Sequence, residues 1–338
     1  MRWRKGNDEQ EPEGTETAAG TGQPLFVPDP PDVPVDLGVL DNEDRSKVAR
    51  RVVARALTED LAGQQDLTSA LTVPVGTTGR ALLVARQSGV VAGLELVREV
   101  CDQVDHRLKV TLNHFDGDPV RKGTVVGEVS GPLRTLLTAE RTFLNLVCHL
   151  SGIATRTREF AVLLEGTGCV VRDTRKTTPG LRLLEKHAVK AGGGANHRIG
   201  LYDAVLVKDN HVAAAGSITA AAEAALAGVP EGVHVQVEVT SMEEAEEAMA
   251  AGVVDLLLDN FTPDEVRAAV EQINGRAAVE ASGGITLETA RAFAEAGADR
   301  LAVGALTHSA PSLDLALDVV DVSPPERSTP RQTAAADA

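Results

Sequence analysis

The sequence is poor in aromatic residues, in cysteine and in long apolar runs. Only 2% of its 338 residues are aromatic, so a core must be built mainly from Ala, Val, Leu and Ile. Such a core suits an α/β protein with buried parallel strands. The three cysteines, Cys101, Cys148 and Cys169, are widely spaced and match no metal-binding pattern, so we expect reduced thiols in or near the core.

Excess positive charge is also lacking, because 49 acidic residues outnumber 33 basic ones and give a net charge of −16. This balance disfavours nucleic-acid and anionic-membrane partners. No stretch approaches the ~20 apolar residues of a membrane span. The N-terminal segment lacks the apolar centre of a signal peptide, so we expect a cytoplasmic protein.

Composition and pattern divide the chain into four parts. Residues 1–40 carry eight acidic and three basic side chains and are expected to form a disordered acidic arm. Residues 41–165 combine a helix at 42–61, short Val-rich strands between 79 and 131, and a long helix from Leu133 to Phe160. Residues 166–306 form the next part, and residues 323–338 are expected to be a disordered tail.

Six short β-type runs alternate with helical segments from Cys169 onward, which predicts βαβ units and a parallel sheet. Several of the intervening helices begin with Ser or Thr and end near Gly, as capped helices do. Six units fit either an open doubly wound sheet or a barrel. The runs are CVVRD (169–173), AVLVK (204–208), HVQVEV (234–239), VDLLLD (254–259), AAVEAS (277–282) and DRLAVG (299–304).

Polar residues end every one of these runs. In α/β barrels the carboxyl ends of the strands carry the active site, so this pattern predicts one site at one mouth. The polar strand ends include Thr174, Arg175, Lys176, Lys208, Glu238, Asp259, Ser282, Gly283, Gly284 and Gly304.

A basic island lies within this acidic chain. Residues 172–211 hold eight Arg and Lys against four Asp and Glu, a net +4 that leaves −20 for the rest. A local cationic excess predicts a pocket for small anions. We expect Arg175, Lys176, Arg198 and Lys208 to contact ligand. Surface charge on a helix is the alternative reading, and it is favoured for Arg182, Lys186 and Lys190.

Two acidic residues and two glycine-containing strand ends complete the predicted site. Glu238 and Asp259 end neighbouring strands, where hard carboxylates can hold Mg²⁺, bind ribose hydroxyls or stabilise a cationic transition state. A buried salt bridge between Glu238 and Lys208 is the structural alternative. The SGG at 282–284 and Gly304 suit phosphate binding, which barrels often place after their last strands. The site is therefore expected to bind a phosphorylated, Mg²⁺-linked substrate beside a polycarboxylate.

The stretch DTRKTTPGLRLLEKHAVKAGGGANHRIGLYDAVLVKDNH resembles the signature of quinolinate phosphoribosyltransferases. AERTFLNLVCHLSGIAT, VEV, LDN, EASGGI and VGALTHSAPSLDLALD are similar to the family too, and the resemblance covers about residues 45–322. It implies an N-terminal open α/β sandwich, to which residues 307–322 return, and an incomplete, TIM-like parallel α/β barrel of about six strands. It also implies a homodimer with shared active sites.

The resemblance implies a role for each matching residue. Arg175, Lys176, His197 and Arg198 would hold the quinolinate carboxylates, together with Arg141 from the partner subunit. Catalysis would rest on Lys176 and Lys208, facing pyrophosphate, and on Glu238 and Asp259, binding ribose and Mg²⁺. Thr174 joins the substrate-binding set, and the 5′-phosphate would be held by Ser282, Gly283, Gly284, Val303 and Gly304. His197, as a carboxylate ligand, would be protonated.

The implied reaction converts quinolinate and phosphoribosyl pyrophosphate to nicotinate mononucleotide, pyrophosphate and CO₂ in NAD synthesis. Three other functions stay open on the residues alone. They are a related transferase acting on a monocarboxylate such as nicotinate, a Schiff-base aldolase using Lys208, and a non-catalytic sensor of phosphorylated metabolites.

Overall fold

The structure is a computed structural model that describes residues 42–325. The predicted acidic arm, residues 1–40, lies outside the described residues, as does nearly all of the predicted tail, 323–338. Among the described helices, none is long and apolar enough to cross a membrane.

The first half of the described chain is a mixture of helices and short strands. The predicted first helix is confirmed at Asn42–Leu61, and the long helix extends to Leu163. The elements are α1 (Asn42–Leu61), α2 (Leu67–Thr72), β1 (Thr78–Ala85), β2 (Gly89–Val90), α3 (Glu95–Val104), β3 (Lys109–Leu112), β4 (Pro119–Val120), β5 (Val125–Pro132) and α4 (Leu133–Leu163).

An antiparallel sheet organises this half, and its fourth strand comes from the other end of the chain. The strand order is β12-β1-β5-β3, where β12 is Leu315–Ser323. Strand β12 pairs with β1 in antiparallel register from Thr78↔Ser323 to Ala85↔Leu315. Buried residues on α3 and α4, such as Val100 and Phe143, belong to the same apolar core as Leu83 of β1. Helices therefore cover the sheet, as in an open α/β sandwich.

The second half contains the six predicted strands, each at or within the predicted run. Helices separate them as expected. The elements are β6 (Val170–Arg172), α5 (Arg182–Ala191), β7 (Ala204–Val207), α6 (Asp209–Ala215), α7 (Ile218–Gly228), β8 (His234–Val239), α8 (Met242–Ala250), β9 (Asp255–Asp259), α9 (Pro263–Ile273), β10 (Ala278–Ser282), α10 (Leu287–Glu295), β11 (Arg300–Ala302) and α11 (Ala305–His308).

The order of these six strands selects the barrel over the doubly wound sheet. Strands β7 to β11 lie side by side in chain order, and β6, the first, pairs in parallel with β11, the last. A doubly wound sheet would instead reverse its order at a switch point. Among the described strands, β6 and β7 form no ladder with each other, so the barrel is incomplete and open at that seam.

Local chemistry explains why the outer helices begin where they do. The side chains of Ser217, Ser241 and Thr262 each accept a hydrogen bond from a backbone N–H one turn into the following helix, which confirms the predicted caps. Strand β9 is buried along Asp255–Leu258 and only partly exposed at Asp259, so the strand delivers a polar end to the barrel mouth.

Candidate active site

A cavity of about 400 Å³ lies at the carboxyl ends of the barrel strands, and we call it the mouth cavity. Nine of the predicted site residues line it, drawn from five of the six strand ends and from the loop after α5. A larger groove elsewhere, of about 860 Å³, contains none of them. The residues of the mouth cavity are Thr174, Arg175, Lys176, His197, Arg198, Leu206, Lys208, Glu238, Leu257, Asp259, Ser282 and Ala302.

Two arginines give the mouth cavity its cationic wall. Burial and the positive charge of Arg175 both lower the pKa of the Arg198 guanidinium, and Asp203 only partly opposes them. The Nε atom of Arg175 is buried and has no hydrogen-bond partner among the described residues. Two neighbouring guanidinium groups with an unused donor form a site that an anion with planar oxygens would satisfy.

Two acids, Glu238 and Asp259, line the same cavity, and we call them its acidic wall. Glu238, at the end of β8, accepts a hydrogen bond from the ammonium of Lys208, which ends β7. Lys208 and Glu238 thus form a salt bridge, but it is not the buried one of the structural alternative, because 43% of the Lys208 side chain is exposed and both side chains line the cavity. Asp259 ends the adjacent strand β9 and accepts a hydrogen bond from Asn260 Nδ2 at 2.8 Å. Cations and carboxylates therefore face one space of substrate size.

His197 lies in the mouth cavity with both ring nitrogens already engaged. Its Nδ1 accepts a hydrogen bond from the backbone N–H of Arg198 at 2.7 Å, and its Nε2 lies 3.0 Å from Gln236 Oε1. Burial lowers its pKa, against the opposing charge of Glu280. A nitrogen that accepts a hydrogen bond carries no proton, so this geometry favours a neutral ring. The expected protonated imidazole is not supported.

A buried ion pair joins the loop after β6 to the loop after α5. Lys186 and Asp173 have 1% and 0% of their side chains exposed, and the Lys186 ammonium donates to the Asp173 carboxylate. Lys186 Nζ also donates to His197 O at 2.9 Å, while Asp173 Oδ1 accepts from His197 N at 2.8 Å. Asp173 directly precedes Thr174 and Arg175, so the pair joins one loop to the other.

The surface-charge reading of helix α5 is therefore wrong for two of its three cations. Lys186 faces inward, because its side chain is buried like those of Glu185 and Val189 on the same helix. Arg182 is half-buried and donates to Thr177 Oγ1 at 3.0 Å and to Ile199 O at 3.1 Å, so it ties loops together. Only Lys190 is exposed as expected.

Glu185 is a supporting residue that sequence reasoning missed. Its side chain is fully buried and accepts hydrogen bonds from Thr178 N at 3.1 Å and from His149 Nε2 at 2.8 Å. Thr178 belongs to the loop that carries Arg175 and Lys176. The one available signal was a Glu among the inward-facing apolar positions of α5, where a buried charge must have partners.

Five predicted residues do not line the mouth cavity. Gly283 and Gly284 follow Ser282 with φ of 100° and 58°, the left-handed region. Val303 is buried, and Gly304 packs against the Lys176 side chain. Arg141 lies exposed on α4, away from the mouth cavity of its own chain.

The carboxylates suit a magnesium ion that is also bound by a ligand. Glu238 and Asp259 offer hard oxygen donors on adjacent strands, the type that Mg²⁺ prefers. No group of three or more His, Cys, Asp or Glu side chains able to hold a metal occurs within residues 42–325. The donor set therefore fits Mg²⁺ only if substrate phosphates and water complete its coordination.

Fold and site together define an α/β-barrel protein whose mouth accommodates small ligands with several negative charges. Residues 66–151 match the N-terminal domain of quinolinate phosphoribosyl transferase, and residues 153–318 match its C-terminal domain. The chain belongs to the quinolinate phosphoribosyltransferase family.

Individual relatives agree with this assignment. The chain is 46% identical over 276 residues to the nicotinate-nucleotide pyrophosphorylase [carboxylating] of Mycobacterium leprae, covering 80% of this chain and 97% of that protein. It is 38% identical over 303 residues to the chloroplastic enzyme of that name from Arabidopsis thaliana, covering 84% and 86%. The structure matches the nicotinate-nucleotide pyrophosphorylase from Ehrlichia chaffeensis with a TM-score of 0.77 and 34% identity, covering 80% and 98%.

Proposed function

We propose that the protein is a decarboxylating quinolinate phosphoribosyltransferase. It would convert quinolinate and phosphoribosyl pyrophosphate to nicotinate mononucleotide, pyrophosphate and CO₂, for NAD synthesis in the cytoplasm. The observation that carries the proposal is the mouth cavity, which Arg175 and Arg198 line together with Glu238 and Asp259. The printed names of the relatives, carboxylating nicotinate-nucleotide pyrophosphorylases, support it.

The cationic wall would bind quinolinate. Arg175 and Arg198 each present a planar fork that can bond both oxygens of a carboxylate. Lys176 contributes a compact charge, and its side chain is exposed into the mouth. Arg141 of the partner subunit would complete the dicarboxylate site, because Arg141 is exposed on α4 and does not reach its own mouth cavity. This role requires a homodimer with shared sites.

The acidic wall would act on the ribose. As pyrophosphate leaves carbon 1, that carbon gains positive charge, and the carboxylates of Glu238 and Asp259 would stabilise it. The same residues would bind the ribose hydroxyls and hold Mg²⁺, which would neutralise charge on the pyrophosphate. Lys208 would turn from Glu238 to the leaving pyrophosphate, and Lys176 would meet it from the other side.

The pyridine nitrogen of quinolinate then bonds to carbon 1 of the ribose and becomes cationic. The ring can therefore accept the electron pair released when the bond to the 2-carboxylate breaks, and CO₂ leaves. Carbon 2 then takes a proton from water. The attacking nitrogen carries no proton that must be removed, so no protein base is needed. The protein contributes positioning and fixed charges.

Backbone groups after the last strands would hold the 5′-phosphate. Ser282 lines the mouth cavity, and Gly283 and Gly284 turn the chain into α10. Val303 and Gly304 precede α11 at the next strand end. Backbone N–H groups presented in such turns form phosphate sites in barrels.

A direct assay tests the proposal. Purified protein is incubated with phosphoribosyl pyrophosphate and Mg²⁺, with either quinolinate or nicotinate, and nicotinate mononucleotide and CO₂ are measured. We expect product and equal CO₂ from quinolinate only, and loss of activity when Mg²⁺ is chelated. Turnover of nicotinate alone would indicate a monocarboxylate transferase, and binding without turnover a sensor. Covalent trapping of a carbonyl compound on Lys208 by borohydride would indicate an aldolase.

A further inference from the structure

We propose that Gln236 is a positioning residue that, together with the buried carboxylates of Asp255 and Glu280, fixes the His197 ring as the neutral tautomer with its proton on Nε2. The meaning of this arrangement for quinolinate binding rests on the proposed function. The arrangement itself follows from hydrogen-bond partners inside the barrel.

The orientation of the Gln236 amide is fixed by two acceptors. Gln236 lies on β8 with 3% of its surface exposed, and its Nε2 donates to Asp255 Oδ1 at 3.0 Å and to Glu280 Oε2 at 2.8 Å. Ionised carboxylates only accept hydrogen bonds, so the NH₂ group must point to them. The Oε1 atom then faces His197 and can only accept.

Hydrogen bonds on both sides of the His197 ring therefore decide which nitrogen carries the proton. Gln236 Oε1 requires a donor, so His197 Nε2, 3.0 Å away, carries the hydrogen. The Arg198 backbone N–H points at Nδ1 over 2.7 Å and requires an acceptor, so Nδ1 is bare. A second proton on the ring would break the Arg198 hydrogen bond and set two donors against each other.

Both carboxylates are also hydrogen-bonded by side chains other than Gln236. Arg172 Nη1 donates to Glu280 Oε2 at 2.9 Å, and Arg300 and His234 both bond to Asp255. Glu280 attracts a proton to His197, whereas Arg172 and Lys186 repel one and burial disfavours the charged ring. The Gln236 amide lies between His197 and the two carboxylates, with its NH₂ group toward the carboxylates and its Oε1 toward the ring. His197 therefore meets the negative end of the amide dipole and not a carboxylate.

Because His197 is neutral in this arrangement, other groups must bind the negatively charged carboxylates of quinolinate. The imidazole offers no free N–H to a ligand in this state, so Arg175, Arg198 and Lys176 supply the positive charge in the mouth cavity. The His197 ring instead fixes the backbone of Arg198 through Nδ1, and so places that arginine. Because the His197 ring gains no proton in this arrangement, binding of the dicarboxylate should not depend on the titration of that ring.

The tautomer can be read directly by ¹⁵N NMR of protein labelled at histidine, without substrate. His197 signals are assigned by their loss in His197→Gln. We expect Nε2 to appear protonated and Nδ1 bare, unchanged from about pH 6 to about pH 8, the range in which an ordinary histidine titrates. A ring protonated at both nitrogens at neutral pH, or the opposite tautomer, would overturn the proposal.

The variant Gln236→Leu tests the role of the amide, with His234→Gln as the matched control at the other side of Asp255. In Gln236→Leu we expect His197 to titrate or change tautomer, because the ring loses its hydrogen bond to Gln236 Oε1. We expect the quinolinate KM to rise about tenfold while the KM for phosphoribosyl pyrophosphate changes less than about twofold. His234→Gln should leave the His197 signals unchanged. Unchanged His197 signals in Gln236→Leu would contradict the proposal.

These outcomes separate the two proposals. The NMR result on the unsubstituted protein stands if Gln236→Leu does not fold, and it requires no activity. A fixed neutral tautomer in a protein that does not turn over quinolinate would refute the proposed function and leave the role of Gln236 intact.

Discussion

The Lys186 ammonium donates a hydrogen bond to the Asp173 carboxylate, and both side chains are excluded from solvent. The pair lies behind the mouth cavity and fixes the backbone of His197 from two directions. Burial raises the pKa of Asp173 and lowers that of Lys186, and their mutual attraction opposes both shifts. Each charge is therefore tolerated only because the other is present.

Removing one member of this pair should be costly. Lys186→Met leaves the Asp173 carboxylate buried and unpaired, and we expect a loss of about 3–5 kcal/mol in the free energy of unfolding. Urea denaturation measures it. Lys190→Met, one turn further along α5 and exposed, should change stability by less than about 0.5 kcal/mol. Equal effects of the two substitutions would show that the pair does not act as described.

Arg175→Ala should abolish quinolinate turnover or raise the quinolinate KM at least tenfold, about 1.4 kcal/mol or more, while the fold survives. The reason is that a guanidinium with an unused, buried Nε supplies part of the dicarboxylate site. Steady-state kinetics with each substrate varied measures the change. Arg267→Ala, on the exposed surface of α9, is the control. An unchanged kcat/KM in Arg175→Ala would refute the assignment.

Glu185→Leu should lower kcat/KM by at least about tenfold, because the loop of Arg175 and Lys176 loses the acceptor for the Thr178 N–H. Glu185→Gln keeps one acceptor oxygen and can retain that bond, so it should recover part of the lost activity. The comparison uses the kcat/KM of both variants from steady-state kinetics, measured at equal concentrations of folded protein. If Glu185→Gln and Glu185→Leu lost the same activity, the anchoring role would be wrong.

Two adjacent glycines should differ sharply in their tolerance of a methyl group. A Cβ on Gly283 would lie 2.3 Å from Asn260 Oδ1 and 2.8 Å from Asn260 N, whereas one on Gly284 meets nothing within 4 Å. Gly284→Ala should therefore cost only the left-handed strain of about 1 kcal/mol. Gly283→Ala should cost more than about 2 kcal/mol because backbone must move. Thermal unfolding of both variants decides it.

The cysteines should be inert in the native protein. Burial raises the pKa of Cys101 and of Cys169 to about 12, and it raises that of Cys148 as well. At pH 8 the thiolate fraction of the first two is then about one in ten thousand, and the thiolate is the reactive form. Ellman's reagent should label the native protein much more slowly than the urea-unfolded protein. Labelling of Cys101 or Cys169 at the unfolded rate would contradict their burial.

The sequence sufficed for the elements whose signals are local. Helix α9 begins after Thr262 because a Thr cap, a Pro and a Glu follow one another, and each acts within one turn. Strand β8 was delimited by its apolar run. Because the carboxyl ends of parallel strands lie at one edge of the sheet, the sequence alone predicts that Lys208, Glu238 and Asp259 share one mouth.

The supporting interactions could not be predicted, because they join residues far apart in the chain. Lys186 looks like any surface lysine until the fold brings it to Asp173, 13 positions earlier in the chain. The state of His197 depends on Gln236, 39 positions away, and on the carboxylates behind it. Residue type indicates which groups can bind a ligand, and tertiary contacts decide how each is charged and held.

The position of strand β12 in the chain means that the N-terminal sheet is completed late during biosynthesis. It is the last described strand, yet it forms the edge of the sheet beside β1, which lies more than 200 positions earlier. A nascent chain leaving the ribosome can pair the barrel strands β7 to β11 before residues 315–323 exist outside the exit tunnel. Until then β1 has one open edge, a surface on which other chains can add strands. The sheet of the N-terminal domain is therefore protected against misassembly only after β12 has been synthesised and has paired with β1.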